Sequence, residues 1–497
     1  LDNARQKALL KELKSLVGGM KISQDEKDLI AAKVKEAWDD IDSGVIKPRI
    51  PDSEFIENIR EAKEEVYPID SNMPKISGVS DEWIIHSMLD TDLYKLTMMQ
   101  VVFHQFQNVN VEFAFKCRNY PGVQLRDHIP EIKRQIKHLC TLHFKENELD
   151  YLAGLTVRGG VRIFKADFIE FLRYFKLDYR NIDVIWNEIT KVVDIPIIGS
   201  WLSTILFEVP VLAIVSEVFS TSFGDMDVRW RVGKERLIKK IDVVLNYNLK
   251  VLSEYGPEKF KEMCLKYVDF GSRRRFMRSW HEYTVRTMKN KLPDNFVGTS
   301  NVWLAMKYDL TPIGTFAHEY VQGCQQLTRL IDSQKFALQK WADEYRGALG
   351  IALSDTVGFD AFLRDFDMYF AKLFDGCRQD SGDPYVWAEK LIAHYNKLGI
   401  DPKTKVAVFS DGLDMEKAIE LHGMFVDRIK VSFGIGTNLT NDVGIKAMQI
   451  VIKMIKCMGQ PVAKISDSIG KLMCMDIKFL RYLAEVFQID IDVEQFT

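Results

Sequence analysis

Residues 310–319 read Leu310-Thr311-Pro312-Ile313-Gly314-Thr315-Phe316-Ala317-His318-Glu319. The apolar head of this stretch has the pattern of a short buried strand. The histidine falls just past the strand's end, behind small residues, where a side chain is free to do chemistry. The same layout recurs with other polar groups. Ile351-Ala-Leu-Ser354 runs to Asp355, and the segment at Cys377 runs into Arg378-Gln-Asp380-Ser381-Gly-Asp383-Pro384. Val406-Ala-Val-Phe-Ser410 runs to Asp411-Gly412, and Ile429-Lys-Val-Ser-Phe433 runs to Gly434-Ile-Gly436-Thr437-Asn438. A helix-like run follows each one. Strands alternating with helices, with polar groups gathered at strand C-termini, predict an α/β chain whose catalytic part is a (β/α) barrel.

Outward from these segments, Val268-Asp-Phe270-Gly271-Ser-Arg273-Arg274-Arg275 opens the barrel series. Gly271 reads as a sharp turn, and the three arginines offer guanidinium forks for phosphate, or else form a solvated basic helix start. Gly298-Thr299-Ser300-Asn301 offers either small hydroxyl donors for an anion or a plain helix cap. The glycine loop 434–438 can converge amides on a phosphate, and Asp411 before it suits ribose hydroxyls. Arg378, Asp380, Ser381 and Asp383 place a cation, two carboxylates and a hydroxyl together; an ion-paired helix start ahead of Pro384 is the plainer reading. His318 alone would read as a satisfied core histidine, but its neighbours argue for a reactive one.

At 497 residues the chain predicts two or more domains. Hydrophobic content of 47% with 28% charged residues is ordinary for a globular protein, and a net charge of −3 argues against a general nucleic-acid binder. Small anionic substrates need only a few local arginines. The seven cysteines are scattered without zinc spacing, which suits a reducing compartment; Cys377 reads as a small packed residue. The apolar stretch from Ile195 to Phe219 contains Pro196, Gly199, Glu208, Pro210 and Glu217, so it predicts a buried helix or two rather than a membrane span. No basic-flanked apolar leader is visible, and the cytoplasm is the expected location.

Three regions are expected. Residues 1–80 form a helical N-terminal extension and linker. Leu9, Leu10, Leu13, Leu16 and Val17 recur at helical spacing, Ser23-Gln-Asp-Glu26 reads as a capping box, and a second helix carries Ile30, Val34 and Ile41. Residues 81–194 form a smaller α/β domain, completed by 455–497, with Val109–Phe115 as a half-buried strand. Residues 195–454 form the barrel-like catalytic domain, including a long charged helix near 228–255.

Jointly, the motifs closely resemble the nicotinate phosphoribosyltransferase family. The match begins at His86-Ser-Met-Leu-Asp90-Thr-Asp92-Leu-Tyr94-Lys-Leu-Thr-Met98. It continues through Asp269–Arg275, Gly298–Asn301, Thr311–Glu319, Arg378–Pro384 and Ser432–Thr437, spans residues 82–480 or so, and leaves 1–80 outside. The resemblance implies an irregular, type II phosphoribosyltransferase-like (β/α) barrel with a smaller α/β domain, and a homodimer with active sites at its interface. It implies joining of nicotinate to 5-phosphoribosyl 1-pyrophosphate (PRPP), coupled to ATP hydrolysis through a phosphohistidine, in pyridine nucleotide salvage toward NAD.

By the same resemblance His318 is the phosphorylated histidine, with Asp355 orienting its ring by position and analogy. Phe270 and Arg378 sandwich the pyridine ring. Tyr94 closes the pocket from the partner subunit, with Asp92 nearby, and Thr315 also lines the base site. Arg273, Gly436 and Thr437 hold the 5′-phosphate, and Asp411 the ribose. Mg2+ sits mainly on pyrophosphate oxygens and water, with Asp380 or Asp355 in its outer shell. Nicotinamide-using relatives carry an acid at the position matching Ser300; a hydroxyl there does not repel an anionic base, so nicotinate is expected. Cys377 departs from the family's usual Val. The rival readings are a nicotinamide phosphoribosyltransferase, a catalytically silent barrel scaffold, and a glycosidase using Asp355 and Asp380, which leaves His318 and the arginines unexplained.

Overall fold

Segments too short and apolar to stand alone are extended and paired. In chain order they are β1 (Asn110–Cys117), β2 (Ile185–Asn187), β3 (Val192–Asp194), β4 (Ile197–Ser200), β5 (Tyr267–Asp269), β6 (Phe296–Thr299), β7 (Thr311–Pro312), β8 (Ile351–Leu353), β9 (Gly376–Gln379), β10 (Val406–Phe409), β11 (Lys430–Ile435), β12 (Ile450–Cys457) and β13 (Gln460–Pro461). The computed structural model describes residues 83–490, apart from 121, 122, 158, 223, 468–473 and 475. The helical runs and capping box read before residue 80 lie outside the described residues.

Strands β5 to β11 make one parallel sheet in the order β7-β6-β5-β11-β10-β9-β8. Each strand lies beside a sequence neighbour, and β5 lies beside β11, so the sheet curls into a barrel left open between β7 and β8. Proline accounts for one lip of this seam. Pro312 has no amide to donate, and prolines in sheets are confined to edges. As an edge, β7 is only half-covered, with Thr311 exposed, where the sequence pattern led to a buried strand. Thr315 bridges the seam: its hydroxyl donates to the Ile351 carbonyl on β8 at 2.8 Å, and its carbonyl accepts from Thr97 Oγ1 at 2.7 Å.

Helices follow the strands as the alternation requires. Pro384–Lys397 after β9 is started by Pro at its first position and by Asp383, whose carboxylate accepts from the amides of Tyr385 and Val386 at 2.8 and 3.0 Å. Asp383 is therefore a cap, not a site carboxylate. The helix Glu208–Ser220 is apolar all round, and every residue except Glu217 is buried. The stretch Trp201–Ser220 is long and apolar enough to cross a bilayer by length and composition, yet 83% of its apolar window is buried within the chain.

A second, antiparallel sheet, β13-β12-β1-β4, pairs β1 with the distant β12 from Val111↔Cys457 to Cys117↔Ile450. That pairing delivers residues from both halves of the sequence to one place. The long charged helix runs Met226–Tyr255. All seven cysteines are free. Ile241–Leu265 belongs to one compact unit; the described residues of Gly78–Lys240 and Lys266–Thr497 belong to the other. In the first, Val251, Leu252, Phe260 and Cys264 pack together.

Candidate active site

The cavity at the C-terminal ends of the parallel strands, about 370 Å³, lies wholly within the second unit. Its floor is set by β5. Asp269, the last residue of that strand, is buried and accepts from Gly271 N at 2.8 Å, His281 Nε2 at 2.6 Å and Thr299 Oγ1 at 2.6 Å. Burial pushes its carboxyl up, but His281 and these hydrogen bonds outweigh it and hold the group below its ordinary range. The turn so fixed presents Phe270, whose amide donates to Ile435 O at 2.9 Å.

The ring of Phe270 lies against β11 at Gly434. A Cβ there would sit 2.2 Å from Phe270 Cδ2, so only glycine leaves room. Gly271 was read as a turn residue, yet its φ of −97° suits any residue. Its role is space, since a Cβ would come 2.2 Å from the Thr440 side chain.

Asp92 and Tyr94 line the cavity at the start of the helix Leu93–Gln105. Asp92 occupies the N-cap position, but its carboxylate is spent elsewhere. One oxygen accepts from Ser272 Oγ at 2.6 Å and Ser300 Oγ at 2.7 Å. Burial raises its pKa in spite of these bonds. Two sequence readings change here, and the helix-cap alternative for the 298–301 loop is met at Asn301. Tyr94 lines the cavity of its own chain, where the resemblance brought it from a second subunit. The Ser300 hydroxyl donates to Asp92, so it faces the cavity as an acceptor. Asn301 is the helix cap of this loop, accepting from Leu304 N at 3.0 Å.

His318 begins the helix His318–Cys324 and lies on the cavity wall. Its Nε2 is 2.8 Å from Asp355 Oδ1, and its Nδ1 is 3.8 Å from Asp380 Oδ2. The other Asp355 oxygen accepts from Lys464 Nζ at 2.7 Å and from Ser381 Oγ. Asp355 is buried behind the ring rather than lining the cavity. Burial opposes its charge, but Lys464 and His318 hold its pKa well below the ordinary value. For His318 burial is the largest effect and Lys464 adds to it, lowering the imidazole pKa to about 4 against the pull of Asp355. The arrangement therefore holds a neutral imidazole with its Nε2–H on an anionic carboxylate, leaving a lone pair on Nδ1.

Replacing Lys464 by Met should remove one of the two depressing effects. The imidazole pKa is then expected to rise from about 4 toward the free value of about 6.5. An NMR titration of the His318 ring that stays at the native value would contradict this.

Cations crowd the same cavity. Arg118 follows β1, Lys453 lies on β12, and both line the cavity with Arg273, Arg274 and Lys464. Burial, reinforced by Lys464 and Arg118, pushes Lys453 down to about 7; burial with Arg273 and Arg118 pushes Arg274 to about 10. Like charges gathered in one cavity favour an anionic ligand there. Arg275 does not share it. That side chain is buried and paired with Asp90 at 2.7 and 2.9 Å, so one of the three phosphate forks is structural. Composition along β12 carried a signal missed on sequence: Lys453 interrupts the apolar run Ile450-Val-Ile, which marks an inward-facing charge.

The last wall comes from β9, β10 and β11. Arg378, Asp380, Ser410, Asp411, Gly436 and Thr437 all face the cavity. Ser410 Oγ donates to Gln379 O at 2.9 Å, and Asn438 Nδ2 ties the glycine loop to Leu413 O at 2.7 Å. Tyr94 Oη and Arg378 Nε are buried with no hydrogen-bond partner among the described residues. Thr315 does not reach the cavity, because the seam takes its hydroxyl. The remaining residues expected at the site, Asp92, Phe270, Arg273, Ser300, His318, Asp380 and Asp411 among them, are brought together.

Comparison with known proteins gives the family and the fold. Residues 265–491 match the model of the nicotinate phosphoribosyltransferase (NAPRTase) family, and residues 89–216 that of the NAPRTase N-terminal domain. A nicotinate phosphoribosyltransferase of Ralstonia nicotianae is 52% identical over 408 residues, covering 81% of this chain and 99% of its own. One of Burkholderia mallei is 52% identical over 410 residues, covering 82% and 97%. The crystal structure of the Vibrio cholerae nicotinate phosphoribosyltransferase superposes with a TM-score of 0.74 at 37% identity, over 84% of this chain and 96% of that one. That of Porphyromonas gingivalis gives 0.72 at 30% identity, over 82% and 100%. With both family models in order along the chain and the fold shared, this protein belongs to the nicotinate phosphoribosyltransferase family.

Proposed function

We propose that the cavity joins nicotinate to PRPP, giving nicotinate mononucleotide and pyrophosphate, as a salvage step toward NAD. The observation that carries this is convergence: an aromatic floor, a guanidinium, a crowded cation wall and an oriented imidazole share one cavity.

The pyridine ring lies between Phe270 and Arg378, through stacking and cation–π contact. Arg273 with the amides of Gly436 and Thr437 takes the 5′-phosphate, and Asp411 the ribose hydroxyls. The pyridine nitrogen forms a bond to the anomeric carbon as the carbon–oxygen bond to pyrophosphate breaks, with positive charge on the ribose in between. Asp380 and Asp411 favour that charge, and the cation wall favours the departing pyrophosphate. The base carboxylate is met by guanidinium charge rather than by Ser300, whose proton is committed to Asp92. Ser300 still carries no charge to repel an anionic base, and the arginines supply the attraction. Side-by-side turnover of nicotinate and nicotinamide tests the choice; preference for the amide would overturn it.

ATP enters through His318. Nδ1 attacks the γ-phosphorus, the bond to ADP breaks, and Asp355 stabilises the imidazolium that forms while holding Nε2–H. The residues fit Mg2+ in the manner usual for phosphate substrates, with one or two carboxylates, Asp380 foremost, beside the pyrophosphate oxygens. When bound it neutralises charge on the leaving group. Asp355 is spent on His318, Ser381 and Lys464 and does not serve.

Arg378→Lys is expected to raise the nicotinate KM about tenfold with kcat little changed, because an ammonium cannot stack as a planar guanidinium does. Steady-state kinetics with unchanged base affinity would count against the sandwich. We place the protein in the cytosol as a homodimer. Sedimentation of a fully active monomer would remove the dimer.

A further inference from the structure

Lys95, directly after Tyr94, is fully buried, a rare place for a lysine. Its ammonium lies 2.6 Å from Glu208 Oε2 and also meets Glu319 Oε2. Each carboxylate gives its second oxygen to another donor. Glu319 Oε1 accepts from Trp201 Nε1 at 2.7 Å, and Glu208 Oε1 from Arg273 Nη1 at 3.2 Å. Trp201, Glu319, Lys95, Glu208 and Arg273 thus form one continuous row with balanced charge.

Stability is a poor account of this row. Desolvating ions is costly, and apolar residues of like volume often hold a core as well or better. What distinguishes the row is where it ends. Arg273 has a 42% exposed side chain that lines the cavity. Glu319 is the second residue of the helix that His318 begins, and Lys95 the third of the helix that Tyr94 and Asp92 open onto the cavity. Glu208 keeps its charge because Lys95 and Arg273 outweigh burial. A long flexible guanidinium facing open space needs such a fixed anion behind it to hold one direction.

We propose that Glu208 and Lys95 are positioning residues for the phosphoribosyl substrate: Glu208, held by Lys95, aims the Arg273 guanidinium into the cavity. Glu319 ties the same lysine to the His318 helix. The inference rests on the phosphoribosyl reading of the cavity and goes beyond it by naming residues that never touch substrate.

The test is Glu208→Gln in the full chain, which keeps shape and one acceptor but removes the charge behind Arg273. The PRPP KM is expected to rise about tenfold, with kcat and the nicotinate KM within about twofold. Glu319→Gln, one link further off, should raise the same constant by about threefold and carries the test if the first variant does not fold. An unchanged PRPP KM overturns the proposal. So does a parallel loss of kcat and of both affinities with a falling Tm, which a merely structural row would give. Calorimetric titration of PRPP alone separates this from the reading of function. A native chain that binds PRPP without making product would sink the proposed reaction, while the tenfold difference in Kd between native and Glu208→Gln would still decide the role of Glu208. Absence of PRPP binding by the native chain overturns both.

Discussion

His318→Ala abolishes ATP turnover, by about a thousandfold or more, while a slow ATP-independent formation of nicotinate mononucleotide persists. The size follows from removing the nucleophile of a unit in which Asp355, buried behind the ring, acts only through it. The residual reaction follows because Phe270, Arg378 and the cation wall are untouched. Geometry adds a finer expectation. Since Asp355 takes Nε2–H, phosphate should appear on Nδ1, which phosphorus NMR of the ATP-treated protein distinguishes from the Nε2 isomer. The acid limb carries a sign as well. A ring with a pKa of about 4 keeps its lone pair at pH 6, so phosphorylation should hold up between pH 7 and 5 and fall only as pH approaches 4. Normal ATP hydrolysis by His318→Ala would remove this imidazole from the mechanism.

Gly434→Ala is the second large effect, although the change is a single methyl group. The added Cβ would lie 2.2 Å from Phe270 Cδ2 and 2.4 Å from Cε2, far inside any tolerated contact. Strand β11 is paired on both sides and cannot retreat, so the ring must leave. A displaced floor loses both stacking and the sandwich, and the nicotinate KM should rise on the order of thirtyfold. Overpacking should also cost about 1–3 kcal/mol of stability. Phe270→Leu in the same background should add little further loss, because both changes remove one contact. Full additivity of the two, measured as KM ratios, would show that Gly434 and Phe270 act separately.

Much of the barrel was legible along the chain because strand ends there carry local signals. An apolar run ending in a polar group, then a helix start, recurs at 311–318, 376–384, 406–415 and 430–437, and each became a strand with a site residue at its end. Where reading failed, the deciding partner was remote in sequence. Thr315 looked like a site residue until Ile351 across the seam claimed its hydroxyl. Ser300 looked like a donor for substrate until Asp92 took its proton. Arg275 was indistinguishable from Arg273 and Arg274 until Asp90 paired with it. Nothing local to Lys464 marks it as the cation behind Asp355.

Residue type and order along the strands were enough for the α/β class, the alternation, the polar strand ends and the family, since those depend on side-chain period and on turn chemistry within a few residues. The open seam, the direction of each hydroxyl and the gathering of Arg118, Lys453 and Lys464 depend on pairings such as β1 with β12, between segments far apart in the chain. Hydrogen bonds and charges act over a few ångströms of space regardless of sequence distance. Only folding brings those groups within reach of one another.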